Sequence, residues 1–304
     1  MSVFSKKKKI IVGGCSYTYG GNDEDAISNN WAEQLADRLD MKLVNTSKNG
    51  MGNEFILNKI TEAIYTHDNI GLVIAMWSEF ERIDIPVSPK AKRLAKLTDA
   101  SGVHYRQYQE SCYNENNFYW ASLHAGVLYE PEETDKMIKQ VFHMKNKQWH
   151  RKHYEWLNQQ NQMVHIWNEW RNGRGQAYSK IVCLKKSLLQ MLLFKQLLKS
   201  KGLDYMHCVG PNPYIRGEYN VKHINLKGQQ YSKEILKSIY FDELDEPNFI
   251  GFPIMQEIGG YWFDKLLVDP DYRVSEDDTH PNTKGHKIFA DKLYDEYTQI
   301  YGII

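Results

Sequence analysis

The chain carries no excess of charge of either sign. Lys+Arg and Asp+Glu both number 38, so the formal net charge is +0. That balance gives no reason to expect nucleic acid or an anionic membrane as a partner. The basic run Lys6 to Lys9 leads directly into Ile10-Ile11-Val12, which reads as the solvated entrance to a strand. The apolar segment behind it falls short of the ~7–15 residues of a signal peptide, so none is expected. No apolar run reaches the ~18 residues of a membrane span. The four cysteines, Cys15, Cys112, Cys183 and Cys208, form no C-x-x-C pair or metal knuckle. A disulfide framework is not expected, and a reducing compartment is favoured. There is no internal repeat and no low-complexity tract. Gly13-Gly14-Cys15-Ser16 is too short, and lacks the lysine, to be a phosphate-cradling loop. No cofactor and no metal are expected.

What the chain does contain is strand–helix alternation. At 304 residues it has room for one large domain or two small ones. Lys8 to Gly14 is a short apolar run ending in glycines, the pattern of a buried strand closed by a sharp turn. Asn29 or Asn30 opens a helix with Trp31, Leu35 and Leu39 on one face. Lys42 to Asn45 is a second strand, Asn45 to Asn53 is turn chemistry, and Phe55, Ile56, Ile60 and Ile64 mark a second helix. Ile70 to Met76 is a third strand. This β-α-β-α-β order predicts a parallel sheet with helices on both faces.

The alternation stops near residue 85. From 85 to 178 the chain holds five of its eight Trp: Trp120, Trp149, Trp156, Trp167 and Trp170. Pro131 with Glu132 and Glu133 suggests a helix start, and Met137, Val141, Met144, Trp156, Met163, Trp167 and Trp170 recur at helical spacing. The segment reads as a mainly helical, aromatic-rich insertion, either core or a cap over the site. His150 and His153 sit at i, i+3 among basic residues and read as a solvated face. Regular order resumes with a helix over Leu184 to Leu198 and a strand over Leu203 to Val209. Leu266 to Val268 is the candidate fifth strand. The expected division is therefore a core of residues 1–84 and 179–304, with 85–178 inserted after strand three.

Two strings carry chemistry. Ser16 follows the glycines at the end of strand one. Asp277-Asp278-Thr279-His280-Pro281 precedes an amphipathic helix with Ile288, Phe289, Leu293 and Tyr297. In a doubly wound sheet, ligands sit at the carboxyl ends of the strands. Ser16, Gly50, Ser78 and the Asp–His loop all follow strands, so all converge on one rim. A nucleophilic hydroxyl needs a base, and the base needs an orienting acid. Asp277 and Asp278 are chemically equivalent candidates, and the three-residue spacing to His280 favours Asp277.

These segments resemble the SGNH/GDSL hydrolase superfamily. Gly14-Cys15-Ser16-Tyr17-Thr18 is similar to its first block, Asn45 to Asn53 to its second, and Asp277 to Pro281 to its last. Tyr17, Thr18, Gly20, Trp31, Leu35, Ala36, Leu39 and Asn45 are similar to a branch common in bacteria and phages. The resemblance implies a flavodoxin-like three-layer α/β/α sandwich with a five-stranded parallel sheet. It implies Ser16 as nucleophile, His280 as general base and Asp277 as the orienting acid. The backbone N–H groups of Ser16 and Gly50 would face the oxyanion, with Gly52 an alternative if the loop is shifted. The family places an Asn after strand three as a further oxyanion donor. Here Ala75-Met76-Trp77-Ser78-Glu79 has none, so Ser78, the Trp77 indole or an insertion residue would have to serve. Cys15 stands where the family has Asp and reads as a buried filler. Trp77 and Asn53 are candidate substrate contacts. Arg82 could meet an anion, but an ion pair with Glu79 or Asp84 is the plainer reading.

Two readings stand. One is a serine esterase acting on a small-molecule or carbohydrate ester, with O-acetyl removal the specific expectation. The other is a non-catalytic binding or virion-associated protein on the same fold. Either would be cytoplasmic or ride on a particle.

Overall fold

The structure is a computed structural model and describes residues 7–21, 23–80, 82–87, 119–124, 180–213, 232–276 and 278–302. The insertion's proposed helices, with His150, His153 and Cys112, lie outside those residues.

Strand β1 spans Lys9–Gly14. Three short helices follow, α1 (Ser16–Tyr19), α2 (Glu24–Ser28) and α3 (Trp31–Arg38). Then come β2 (Lys42–Asn45), α4 (Asn53–Thr66) and β3 (Ile70–Trp77). Strands β4 (Arg82–Val87) and β5 (Tyr119–His124) form an antiparallel pair outside the main sheet. The core resumes with α5 (Lys180–Lys201), β6 (Tyr205–Val209), α6 (Phe241–Leu244), β7 (Phe249–Ile250) and α7 (Thr283–Tyr301).

The main sheet has the order β2-β1-β3-β6-β7, and every pairing is parallel. This is the flavodoxin-like order, with helices on both faces. Its strands are apolar at nearly every position because both faces are covered. Ile11, Val73, Ala75, Trp77 and Val209 face α4 and α5. Ile10, Val12, Leu72, Ile74, Met76 and Cys208 face α3 and α7. The chain leaves β1 outward to β2 and returns to β3 on the other side, so a crevice opens at the carboxyl ends of β1 and β3.

One expectation needs correction. The fifth strand is Phe249–Ile250, not Leu266–Val268. Residues Phe263–Leu266 form a single 3₁₀ turn instead. The stretch after strand three also contains the β4–β5 pair, which the sequence did not suggest. Among the described residues, no helix is long and apolar enough to cross a membrane.

Two imidazoles sit in the interior. His207, on β6, and His286, on α7, are both 0% exposed. His207 accepts the Trp77 indole N–H at Nδ1 (3.2 Å), whereas among the described residues neither His286 nitrogen has a partner. Burial pushes His207 down to about 3, helped by the Lys195 charge. Burial likewise pushes His286 down to about 3, helped by His280. Unfolded, each would titrate near 6.5. Above that pH neither state holds the proton, so folding is unaffected. Below it the unfolded chain gains protons that the fold refuses, so stability falls as pH falls from 6.5 toward 3. Each histidine contributes a slope of up to ~1.4 kcal/mol per pH unit. The urea midpoint is expected to drop steadily between pH 7 and pH 5. In His286→Gln about half of the two-histidine slope should disappear.

Candidate functional site

The site is built where β1 turns. Gly14 is required there, since a Cβ would lie 2.0 Å from Thr18 Oγ1. Cys15 follows, fully buried in the core. Ser16 then opens α1, whose position is fixed by Trp31: the buried indole N–H donates to the Tyr17 carbonyl (3.1 Å). Trp31 is held in turn because Asn30 caps α3, accepting from the N–H groups of Ala32 and Glu33.

His280 arrives from the other end of the chain. Its loop is tied down on both sides. The Val274 N–H donates to the His280 carbonyl, and the Ser275 N–H to the Asp278 carbonyl, both at 3.0 Å. Asn282 caps α7 by accepting from the Gly285 N–H (3.1 Å). Its amide donates to the carbonyls of Asp271 (2.8 Å) and Arg273 (2.9 Å).

These supports bring three groups into series. Ser16 Oγ lies 2.8 Å from His280 Nε2. His280 Nδ1 lies 2.5 Å from Asp278 Oδ1. With Nδ1–H held by a carboxylate, Nε2 keeps its lone pair toward the hydroxyl. Such a series can take a proton from the serine and stabilise the resulting imidazolium. The carboxylate on the ring is Asp278. Asp277, preferred on spacing, lies outside the described residues. Asp278 reaches the ring because its Oδ1 also accepts the His280 backbone N–H (3.1 Å), folding the loop back on itself.

The second loop lies alongside. Gly50 is at φ +73°, a conformation that favours glycine. Among the described residues, neither the Gly50 nor the Ser16 backbone N–H has a hydrogen-bond partner. Gly52 does not share that role: its N–H donates to Asp84 Oδ1 at 2.8 Å. Asp84 Oδ2 accepts the Phe55 N–H at 2.9 Å, so one carboxylate from β4 caps α4. Arg82 also clamps this loop, donating to the Met51 carbonyl (3.2 Å) while pairing with Glu79 (2.7 Å). The ion-pair reading of Arg82 therefore holds. Asn49, next to Gly50, donates to the Gly21 carbonyl (2.6 Å) and links the two loops.

Ser78 follows β3. Gly14 pairs with Met76, so Ser16 and Ser78 each lie two residues past a matched position. The Ser78 hydroxyl is fully buried and, among the described residues, has no partner. Asn53 holds this segment: its Oδ1 accepts the Ser78 N–H (2.7 Å) and its amide donates to Ser187 Oγ (3.1 Å). At 2% exposure, Asn53 is a brace and not the substrate contact that was expected. Trp77 is corrected too. It is 0% exposed, packs edge-on against Phe194, and spends its indole N–H on His207. Among the described residues, no group of three or more His, Cys, Asp or Glu could hold a metal ion.

No family model matches the chain, and no curated protein matches it. Solved structures similar to it include lipolytic proteins and esterases. The psychrotrophic esterase EstA from Pseudoalteromonas sp. is 10% identical with a TM-score of 0.44, covering 98% of this chain and 100% of that one. A member of the lipolytic protein G-D-S-L family from Veillonella parvula DSM 2008 is 9% identical with a TM-score of 0.36, covering 98% and 100%. An acetyl xylan esterase from the rumen bacterium Butyrivibrio proteoclasticus is 11% identical with a TM-score of 0.38, covering 99% of this chain and 66% of that one. Similarity of this degree assigns no activity.

The Asp84 clamp is open to direct measurement. Asp84→Ala removes two charge-assisted bonds to backbone N–H groups and leaves both unsatisfied. It should lower stability by about 2–3 kcal/mol in urea denaturation.

Proposed function

We propose that this chain is a serine ester hydrolase of the SGNH/GDSL type. One observation carries the reading: the unbroken series from Ser16 Oγ through His280 to Asp278, at 2.8 Å and 2.5 Å. In this reading His280 Nε2 takes the Ser16 proton as Oγ attacks the acyl carbonyl carbon. The carbonyl electron pair moves onto oxygen. The imidazolium is stabilised by Asp278, which stays ionised, and then protonates the departing alcohol. Water, deprotonated by the same imidazole, releases the acid and restores Ser16.

Three donors would meet the oxyanion: the unpartnered N–H groups of Ser16 and Gly50, and the Ser78 hydroxyl. A buried hydroxyl without a partner is costly unless something occupies it in the working state. That supports Ser78 in the place of the family's asparagine. Ser16 is only 5% exposed, which favours a small acyl group. An acetyl ester, with an acetylated carbohydrate as the specific substrate class, fits that restriction best.

The absence of an asparagine from Ala75-Met76-Trp77-Ser78-Glu79 favours a second reading, a binding protein that kept the fold without the turnover. A fluorophosphonate probe and a chromogenic acetate ester separate the two. The esterase reading expects one adduct on Ser16 and turnover that Ser16→Ala and His280→Ala abolish. Intact-protein mass with no adduct at high probe concentration would leave only the binding reading. Ser78→Ala is expected to lower kcat by ~10²–10³. Asp278→Asn should lower it by up to ~10⁴, and Asp277→Asn by far less, which identifies the orienting carboxylate.

A further inference from the structure

The loop bearing His280 is held by more than its own turn. Arg273 Nη1 donates to the Thr279 carbonyl at 2.6 Å, one residue before the imidazole. The same nitrogen donates to Asp264 Oδ1 at 2.8 Å. Nη2 reaches the carbonyls of Asp264 (3.5 Å) and Leu267 (3.4 Å). Asp264 Oδ1 also accepts the Tyr17 hydroxyl proton at 2.9 Å. Tyr17 directly follows Ser16, and its ring lies 5.4 Å from that of His280, tilted by 51°. The contacts therefore form a closed circuit. It runs from the serine turn through Tyr17, Asp264 and Arg273 to Thr279, and back through His280 to Ser16.

We infer that Tyr17, Asp264 and Arg273 are positioning residues for His280: Asp264 and Arg273 form an ion pair of no net charge that, with the Tyr17 hydroxyl, ties the base loop to the turn carrying Ser16. The inference rests on the hydrolase reading for its consequence in catalysis, but not for its effect on the imidazole. A neutral pair at this place does two things. It fixes the Thr279 carbonyl, and through it the ring, without sacrificing a carboxylate or a guanidinium to burial. It also keeps either charge from biasing the imidazole. The described groups around His280 are Asp278 on its own loop, Ser16 and Tyr17 on α1, His286 on α7, which burial keeps neutral, and the Asp264–Arg273 pair.

Removing one member of the pair exposes the other's charge, and the two removals act in opposite directions. Asp264→Asn leaves a guanidinium beside the loop, which disfavours the imidazolium. Arg273→Gln leaves a carboxylate, which favours it. The test is an NMR titration of the His280 ring in wild type and both variants, alongside fluorophosphonate labelling rate against pH. The midpoint should fall by about half a pH unit or more in Asp264→Asn and rise comparably in Arg273→Gln. The acidic limb of labelling should move the same way. Arg273→Lys, which keeps the charge, should restore the wild-type midpoint while labelling stays slower. Tyr17→Phe should leave the midpoint in place and slow labelling about tenfold. Midpoints that do not move, or that move together, overturn the inference. Opposite shifts in a protein whose Ser16 never labels would uphold the circuit and remove the hydrolase reading.

Discussion

The contact between Ser16 Oγ and His280 Nε2 joins residues 264 positions apart, and the molecule is organised around making it possible. A parallel sheet is what permits it. Every strand delivers its carboxyl end to the same edge, so loops from the first and last parts of the chain arrive together. Burial on both faces keeps β1 and β3 rigid at that edge. The capped helices α3 and α7 then fix where each loop leaves it. A hydrogen bond between a serine and a histidine contributes little to stability by itself. Its geometry is instead an output of two well-packed cores.

The second constraint is charge kept close to the site but balanced. Arg82 with Glu79, Arg273 with Asp264, and His280 with Asp278 are all partly or largely withdrawn from water. Withdrawn charges are tolerated only in pairs with their remaining hydrogen-bonding capacity used. Here that capacity goes to loop carbonyls: Met51 for Arg82, and Thr279 with Leu267 for Arg273. Each pair therefore secures one of the loops that converge on Ser16.

Much of this was legible in the sequence, because the signals were local. Apolar runs ending in glycine or turn residues located β1, β2, β3 and β6 to within two residues. Asn29 or Asn30 read as the start of a helix, and Asn30 is its cap. The serine, the glycine loop and the Asp–His string read as one rim. The failures share a cause. Phe249–Ile250 is too short to carry a period, so β7 went to the wrong residues. Arg82-Ile83-Asp84-Ile85 does alternate with period two, but the run is short and lies outside the main sheet, so no strand was assigned there. Asp278, Asp84, Arg273 and the orientation of Trp77 depend on tertiary contacts that no spacing rule contains. The contact of Asp278 with the ring depends on how one loop folds back, through the His280 N–H that its Oδ1 accepts, and Asp277 lies outside the described residues.

The Asp84–Gly52 contact reaches beyond the loop it secures. Asp84 and Arg82 belong to the first strand after the sheet, so the stem of the long excursion is bolted to the very loop that holds Gly50. The first strand past the sheet thus doubles as a fastening for that loop, so a change in β4 would be felt beside Gly50 as well as in the strand itself.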